Sequence, residues 1–560
     1  MNRRDFLQCC GLGAGLSALG ATVAGQSNFN PGFQFVDVTA AAGLAFRHNN
    51  GAYGGKLLPE TLGSGCAFLD YDADGWQDIL LINGADWPGH HRQRSTLRLY
   101  RNNRNGTFTD VTKAAGLDVE MYGMGVAVGD YNNDGFPDIF ITCVGQNRLF
   151  RNTVKGSFVD VTRSSGLGGR SAFSTSAMWV DIDRDGLLDL FVCNYVRWSA
   201  DRDVFCSLDG KQKSYCTPEA YRGETCWLFR NRGNGTFEDV TATCGIFDST
   251  SKALGVALID QDQDGWPDIF VANDTQPNKL YRNQRNGTFK DVALQAGVAL
   301  SVDGVARAGM GVDVGDFDNS GGPGLAITNF EGEMIGLYRR SQGGTYRDVA
   351  TEAGVGFPSR NYLGFGCVFA DLDLDGRLDL VTVNGHIDDT VRNVRGKAGY
   401  AQRPQLFLNQ GNTRFRDASS AVGAGFAQPR VGRGLAYGDF DRDGDLDLLI
   451  TTNNGPAVLL RNDQAGGNRS IRFRLRGTTS NRDAIGSTVR ISYDGTTQSR
   501  IVHSGSSYLS QSELPVTFGV GRRDRIARAT VTWPDGRTEE AANLVTGRGY
   551  DWIEGKGVVP

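Results

Sequence analysis

A nine-residue acidic loop recurs along the chain, and its side chains are those of a hard-cation site. The first copy reads Asp70-Tyr-Asp72-Ala-Asp74-Gly75-Trp-Gln-Asp78. Carboxylates at positions 1, 3, 5 and 9 can converge only if the chain turns sharply at position 6, where glycine accepts a left-handed backbone. Calcium takes six to eight oxygen ligands, and the carbonyl at position 7 can join the carboxylates. The same spacing places Asp130, Asn132, Asp134 and Asp138 in a second loop and Asp181, Asp183, Asp185 and Asp189 in a third. Asp260, Asp262, Asp264 and Asp268 form a fourth, Asp371, Asp373, Asp375 and Asp379 another, and Asp439, Asp441, Asp443 and Asp447 the last. Clustered carboxylates repel unless a cation compensates them, so these intact copies predict about six calcium sites. One further copy, Asp316-Phe-Asp318-Asn-Ser320-Gly-Gly-Pro-Gly324, lacks acids at positions 5 and 9, and weak or no binding is expected there. An EF-hand would carry Glu at position 12. The residue there is Leu81, Ile141, Val192, Val271, Thr382 or Ile450, inside a strand-like run, so each site is read as β-loop-β.

The elements that hold these loops are repeats. The loops start at intervals of 60, 51, 79, 56, 55 and 68 residues. An aromatic-x-Asp turn recurs at Phe35, Phe108, Phe158, Phe237, Phe289, Tyr346 and Phe415, and a Leu-Tyr/Phe-Arg-Asn run at Leu99, Leu149, Leu228 and Leu280. Each unit then holds about four short strands separated by Gly/Asn/Asp turns. Seven such units predict an all-β fold, a seven-bladed β-propeller over residues 30–463. The chain opens with Phe35-Val-Asp37-Val, a unit ending without its partner, and the last repeat stops at Leu459-Leu-Arg-Asn462. The N-terminal strand is therefore expected to complete the last blade. The long third interval holds an insertion, about residues 196–226.

A second set of candidate groups depends on that architecture. His48 and Glu60 precede the first loop, while Tyr195, Asp274, Glu331 and His386 follow the second strand of their repeats. If the repeats superpose, these loops share one face. His48, Glu60, Asp274, Glu331 and His386 could then line a pocket at the axis, as metal ligands or as acid and base. Ordinary loop polars are the simpler reading. No G-x-S-x-G elbow, P-loop or HExxH is present. His503 and Tyr508, further along, read as turn residues.

The repeats resemble the FG-GAP/VCBS calcium-binding propeller family, similar in kind to the blades of integrin α-subunits. After Asn462 the acidic loops stop and alternating runs such as Ile471-Arg-Phe-Arg-Leu475 predict a small antiparallel β-sandwich-like domain over 464–560. Ser480-Asn-Arg-Asp-Ala-Ile-Gly486, Ser504-Gly-Ser-Ser-Tyr508-Leu-Ser-Gln511, Phe518-Gly-Val-Gly521 and Trp533-Pro-Asp-Gly536 resemble the ASPIC/UnbV domain. The pairing is similar to that of bacterial relatives of cartilage acidic proteins. It implies an extracytoplasmic calcium-binding protein and supplies no reaction.

Composition bounds the function. The 560 residues include 76 glycines and carry a formal charge of −5, which argues against a nucleic-acid partner. Met1-Asn-Arg3-Arg4-Asp-Phe-Leu7 and the small apolar run after it read as a twin-arginine signal peptide over 1–25. No transmembrane segment is expected after its removal, and the mature protein is expected in the periplasm, at the cell surface or secreted. No CxxC pair exists, so a zinc ribbon is not expected. Cys206–Cys216, within the polar insertion, is the expected disulfide, and Cys66, Cys143, Cys193 and Cys367 read as buried thiols. The function that follows is a binding or interaction module for a protein, glycan or surface polymer. The alternative is an extracytoplasmic enzyme of the polysaccharide lyase or hydrolase type with its site on the axis.

Overall fold

The computed structural model describes residues 29–559 apart from 91, 93, 154–155, 208–209 and 392–398. The twin-arginine segment lies outside the described residues. The all-β expectation holds: among the described residues, the helical elements that interrupt the strands are single turns. Strand pairing gives four-stranded antiparallel units that start at Cys66–Leu69, Gly123–Gly129, Ala172–Val180, Ala253–Ile259, Gly309–Gly315, Gly364–Ala370 and Gly432–Gly438. The second and third units are joined into one sheet through Asp138–Gly145 and Ala172–Val180. Each unit's first strand packs on that of the next, and Cys66–Leu69 meets Gly432–Gly438, so the series closes on itself as a propeller-like ring. Phe33–Asp37 pairs antiparallel with Val458–Gln464, supplying the fourth strand of the last unit.

Crowding at the axis selects glycine there. A Cβ on Gly255 would lie 2.4 Å from the Met310 carbonyl, and one on Gly311 would lie 2.1 Å from that of Phe365. Behind these strands sit the apolar alternates, such as Ile139, Leu258, Phe270 and Leu380, which are fully buried.

The C-terminal part differs from a purely antiparallel sandwich. One of its sheets, Thr488–Tyr493, Thr496–Ile501, Arg525–Thr532 and Thr538–Val545, is antiparallel throughout. In the other, Ser470–Arg476 pairs parallel with Arg548–Ile553. A parallel pair needs a long crossover, and here the crossover contains the entire first sheet. Phe473, Phe518, Trp533 and Trp552 fill the space between the sheets.

The run Ser504–Gln511 leaves this domain and enters the ring. Ser507 exchanges backbone hydrogen bonds with Val312. The Val126 N–H donates to the Leu509 carbonyl at 3.1 Å, and the Gln511 N–H donates to the Cys66 carbonyl at 2.9 Å. The Leu509 N–H donates to the Ser176 hydroxyl, and the Trp179 N–H to that of Ser504. Tyr508 and Leu509 are buried among Leu62, Met124, Leu254, Met310 and Phe365. The run thus plugs the axis, and Tyr508 is part of that plug rather than an ordinary surface turn.

Candidate functional site

Each acidic loop links the first and second strands of its unit, and two left-handed residues shape it. Gly75, Gly135, Gly186, Gly265, Gly376 and Gly444 all have positive φ at position 6. Position 4 is left-handed too, although its residues, among them Ala73, Asn133 and Leu374, are not glycine. Those two bends let the position 1 carboxylate accept the N–H groups of the turn. Asp181 accepts from Asp185 at 3.1 Å and from Gly186 at 3.0 Å. The position 9 carboxylate reaches back to the N–H at position 2, as Asp268 does to Gln261 at 2.9 Å.

Positions 1, 3 and 9 converge. In the trios Asp70/Asp72/Asp78, Asp181/Asp183/Asp189, Asp260/Asp262/Asp268, Asp371/Asp373/Asp379 and Asp439/Asp441/Asp447, one carboxylate oxygen from each residue lies within 4.8 Å of the others. The second loop carries Asn132 at position 3. Position 5 stands outside these trios. Asp74 and Asp264 cap the N–H at position 7 through Oδ1 and meet Arg104 and Arg285 through Oδ2. Asp134, Asp185, Asp375 and Asp443 accept from position 7 in the same way.

The electrostatics fit a cation. Buried oxygens of Asp70, Asp72, Asp138, Asp183, Asp439 and Asp441 have no hydrogen-bond donor, although buried polar atoms are nearly always paired. Burial pushes Asp78 up to about 8, Asp138 to about 9 and Asp268 to about 8, and the neighbouring aspartates add to the rise. A divalent ion among the trio would reverse that balance. The last loop adds an acid not singled out in the sequence: Asp445, 3% exposed, is pushed up to about 10 by burial and by Asp443. In the fifth loop, position 9 is Gly324, and Arg340 replaces the asparagine of the third strand. Its guanidinium donates to the Gln261 carbonyl and to Gln263 of the neighbouring loop.

The C-terminal domain sits on these loops. Asp371 accepts the Gly519 N–H at 3.0 Å, Asp483 accepts the Asp130 N–H at 2.6 Å, and Arg472 lies 3.3 Å from Asp439. That packing leaves the opposite end of the axis for other contacts.

The five groups proposed for an axial pocket lie at that end. His386 Nε2 is 3.6 Å from a Glu331 oxygen, and its Nδ1 accepts the Asp388 N–H. His48 Nδ1 accepts the Asn454 N–H, and burial pushes the imidazole down to about 3, with the Arg433 charge adding to the drop. Glu60 accepts the Tyr215 hydroxyl at 3.1 Å, and burial raises its carboxyl. Asp274 accepts the Tyr195 hydroxyl at 2.6 Å. Of the five, Asp274 alone lines the recess of about 220 Å³ at this end of the axis; Phe330 and Ile387, the neighbours of Glu331 and His386, form part of its wall. The insertion supplies another wall through Cys216 and Pro218, and its Cys206–Cys216 disulfide is present. Cys66, Cys143, Cys193 and Cys367 are buried and free. Among the described residues, the convergent trios of potential ligands all lie in the acidic loops.

Arg433, not picked out in the sequence, is fully buried beneath these loops. It donates to the carbonyls of Thr61, Gly385 and His386, tying three segments of this end together.

Comparison with known proteins agrees with this geometry. The FG-GAP-like repeat profile matches residues 70–141, 136–192, 201–271, 260–327 and 398–450, and the ASPIC and UnbV profile matches 477–558. Cartilage acidic protein 1 of Mus musculus is 28% identical over 65% of this chain and 52% of its own length. The Homo sapiens protein is also 28% identical, over 65% of this chain and 50% of its own. The chain thus spans about half the length of these curated relatives. Among solved structures, an Agrocybe aegerita lectin that recognises non-reducing terminal N-acetylglucosamine aligns at 17% identity and a TM-score of 0.37, covering 65% of this chain and 84% of that one. Together the two profiles cover well over half of the sequence, and the chain belongs to the FG-GAP-like repeat family, with a C-terminal ASPIC and UnbV domain.

Proposed function

We propose that this protein is an exported, calcium-loaded propeller that acts as a binding module for a protein or glycan at the axial end opposite its metal loops. The observation that carries the calcium reading is the set of converging aspartate trios, three of which, those that start at Asp70, Asp181 and Asp439, hold buried oxygens without a donor. Hard carboxylate oxygens with a backbone carbonyl in reach suit calcium. About six ions are expected, one in each loop with acids at positions 1, 5 and 9. Their role is structural, since the C-terminal domain covers that face. The proposed division is a leader over 1–25, the propeller over 30–463 and the ASPIC/UnbV domain over 464–560. The disulfide fits an oxidising, extracytoplasmic compartment. Loops from several repeats meet at the free end, which suits recognition. The test is a protein and glycan screen of the calcium-loaded chain. Binding lost on substituting residues of the axial end supports the reading; binding that maps only to other surfaces contradicts it.

A further inference from the structure

The recess at the free end has a chemistry more specific than a general binding face. Its volume of about 220 Å³ falls below the roughly 300–1,000 Å³ of ordinary small-molecule sites. A single long side chain suits it better than a sugar ring or a nucleotide. Its walls are apolar and aromatic, with Leu62, Met310, Phe330 and Phe365 among them. Its charged residues are all acidic: Asp274, Glu219 and Glu333 line it, and no Lys, Arg or His does.

Asp274 is the informative group. It is 5% exposed, and its Oδ2 accepts the Tyr195 hydroxyl. Among the described residues no donor reaches its Oδ1. Lys252, whose charge acts on Asp274, turns its ammonium to the Pro218 carbonyl at 2.8 Å instead. Glu219 and Glu333 add repulsion, Lys252 and the Tyr195 hydroxyl oppose it, and burial pushes the Asp274 carboxyl up to about 7. A buried carboxylate left this way calls for a cationic partner, and the aromatic walls would attract the same cation.

We propose that this recess binds an ammonium or guanidinium group on an aliphatic stem, namely a lysine or arginine side chain of a protein partner. This deepens the binding-module reading and rests on it. The stem would lie along Met310 and Leu62, with the cation between Asp274 Oδ1 and the rim carboxylate of Glu219. Tyr195 positions Asp274 by occupying its other oxygen.

Titration of the full-length, calcium-loaded protein tests this with Nα-acetyl-lysine amide and Nα-acetyl-arginine amide. The controls are the neutral isosteres, norleucine and citrulline amides, and 1,5-diaminopentane. At least tenfold tighter binding of the cationic amides is expected over their isosteres. Asp274→Asn should remove that preference without weakening norleucine. Glu219→Gln, at an exposed rim position, should weaken the cations two- to threefold and keeps the test valid if the Asp274 variant does not fold. Equal binding of the isosteres, or an Asp274→Asn protein within twofold of wild type, overturns the proposal. Binding of the diamine but not the amides overturns the assignment to a protein side chain. Loss of amine binding while the wider screen still maps a ligand to this end would sink this inference and leave the broader reading standing.

Discussion

Asn283 shows how one residue of the repeat ties an acidic loop to its neighbours. Its N–H donates to Asp268 at 2.8 Å, and its side chain donates to the Ile182 carbonyl in the acidic loop of the preceding unit. Asn102, Asn152, Asn231, Asn409 and Asn462 make the same pair of links. In the sequence this asparagine is visible only as the end of a Leu-Tyr-Arg-Asn motif. Asp268 is in its own unit, but the Ile182 carbonyl lies 101 residues away in another, so spacing cannot show that link. Asn283→Ala would leave a buried carbonyl without its donor and should cost about 1–3 kcal/mol, read as a lower denaturant midpoint at saturating calcium. An unchanged midpoint would mean that the link is passive. His48 carries the pH prediction. Its folded pKa of about 3 lies below the unfolded value of 6.5, so the unfolded chain takes up a proton that the native state refuses. Its contribution is complete above pH 6.5 and declines as the pH falls from there toward 3. At pH 5 the loss is about 2 kcal/mol. Calcium-saturated wild type should therefore lose more stability between pH 7 and 5 than His48→Gln does, and parallel losses would contradict this.

At the scale of elements, the acidic loops and four-strand units were legible because each is local: every ligand lies within nine residues, and every strand is bounded by its own turns. The candidate pocket was legible in part. The recurrence after each second strand brings Tyr195, Asp274, Glu331 and His386 to one end of the axis, but spacing does not say which of them faces the recess. The axial plug was not legible. Ser504–Gln511 reads as a small-residue turn, and its contacts with Cys66, Val126, Ser176 and Val312 lie hundreds of residues away. The parallel pairing of Ser470–Arg476 with Arg548–Ile553 was hidden for the same reason. Leu509 is fully buried at the axis. Leu509→Ala should cost about 2–5 kcal/mol and lower the single unfolding transition of propeller and C-terminal domain together. Two separate transitions, with only the later residues affected, would show that the plug does not couple them.

For the whole molecule, the proposed calcium loading would change both stability and charge. The chain's formal charge is −5, and about six divalent ions would make the loaded protein net positive. Its binding to anionic matrices should therefore strengthen on calcium loading and weaken with salt; ion-exchange retention that does not shift between loaded and chelated protein would contradict this. The direct test of the account is calcium content together with the thermal midpoint. The purified protein, dialysed against metal-free buffer, is analysed for bound metal and melted with and without a calcium chelator. About six calcium ions per chain are expected, with a midpoint that falls when they are removed. A protein that retains no calcium, and melts at the same temperature with chelator as with added calcium, would contradict this.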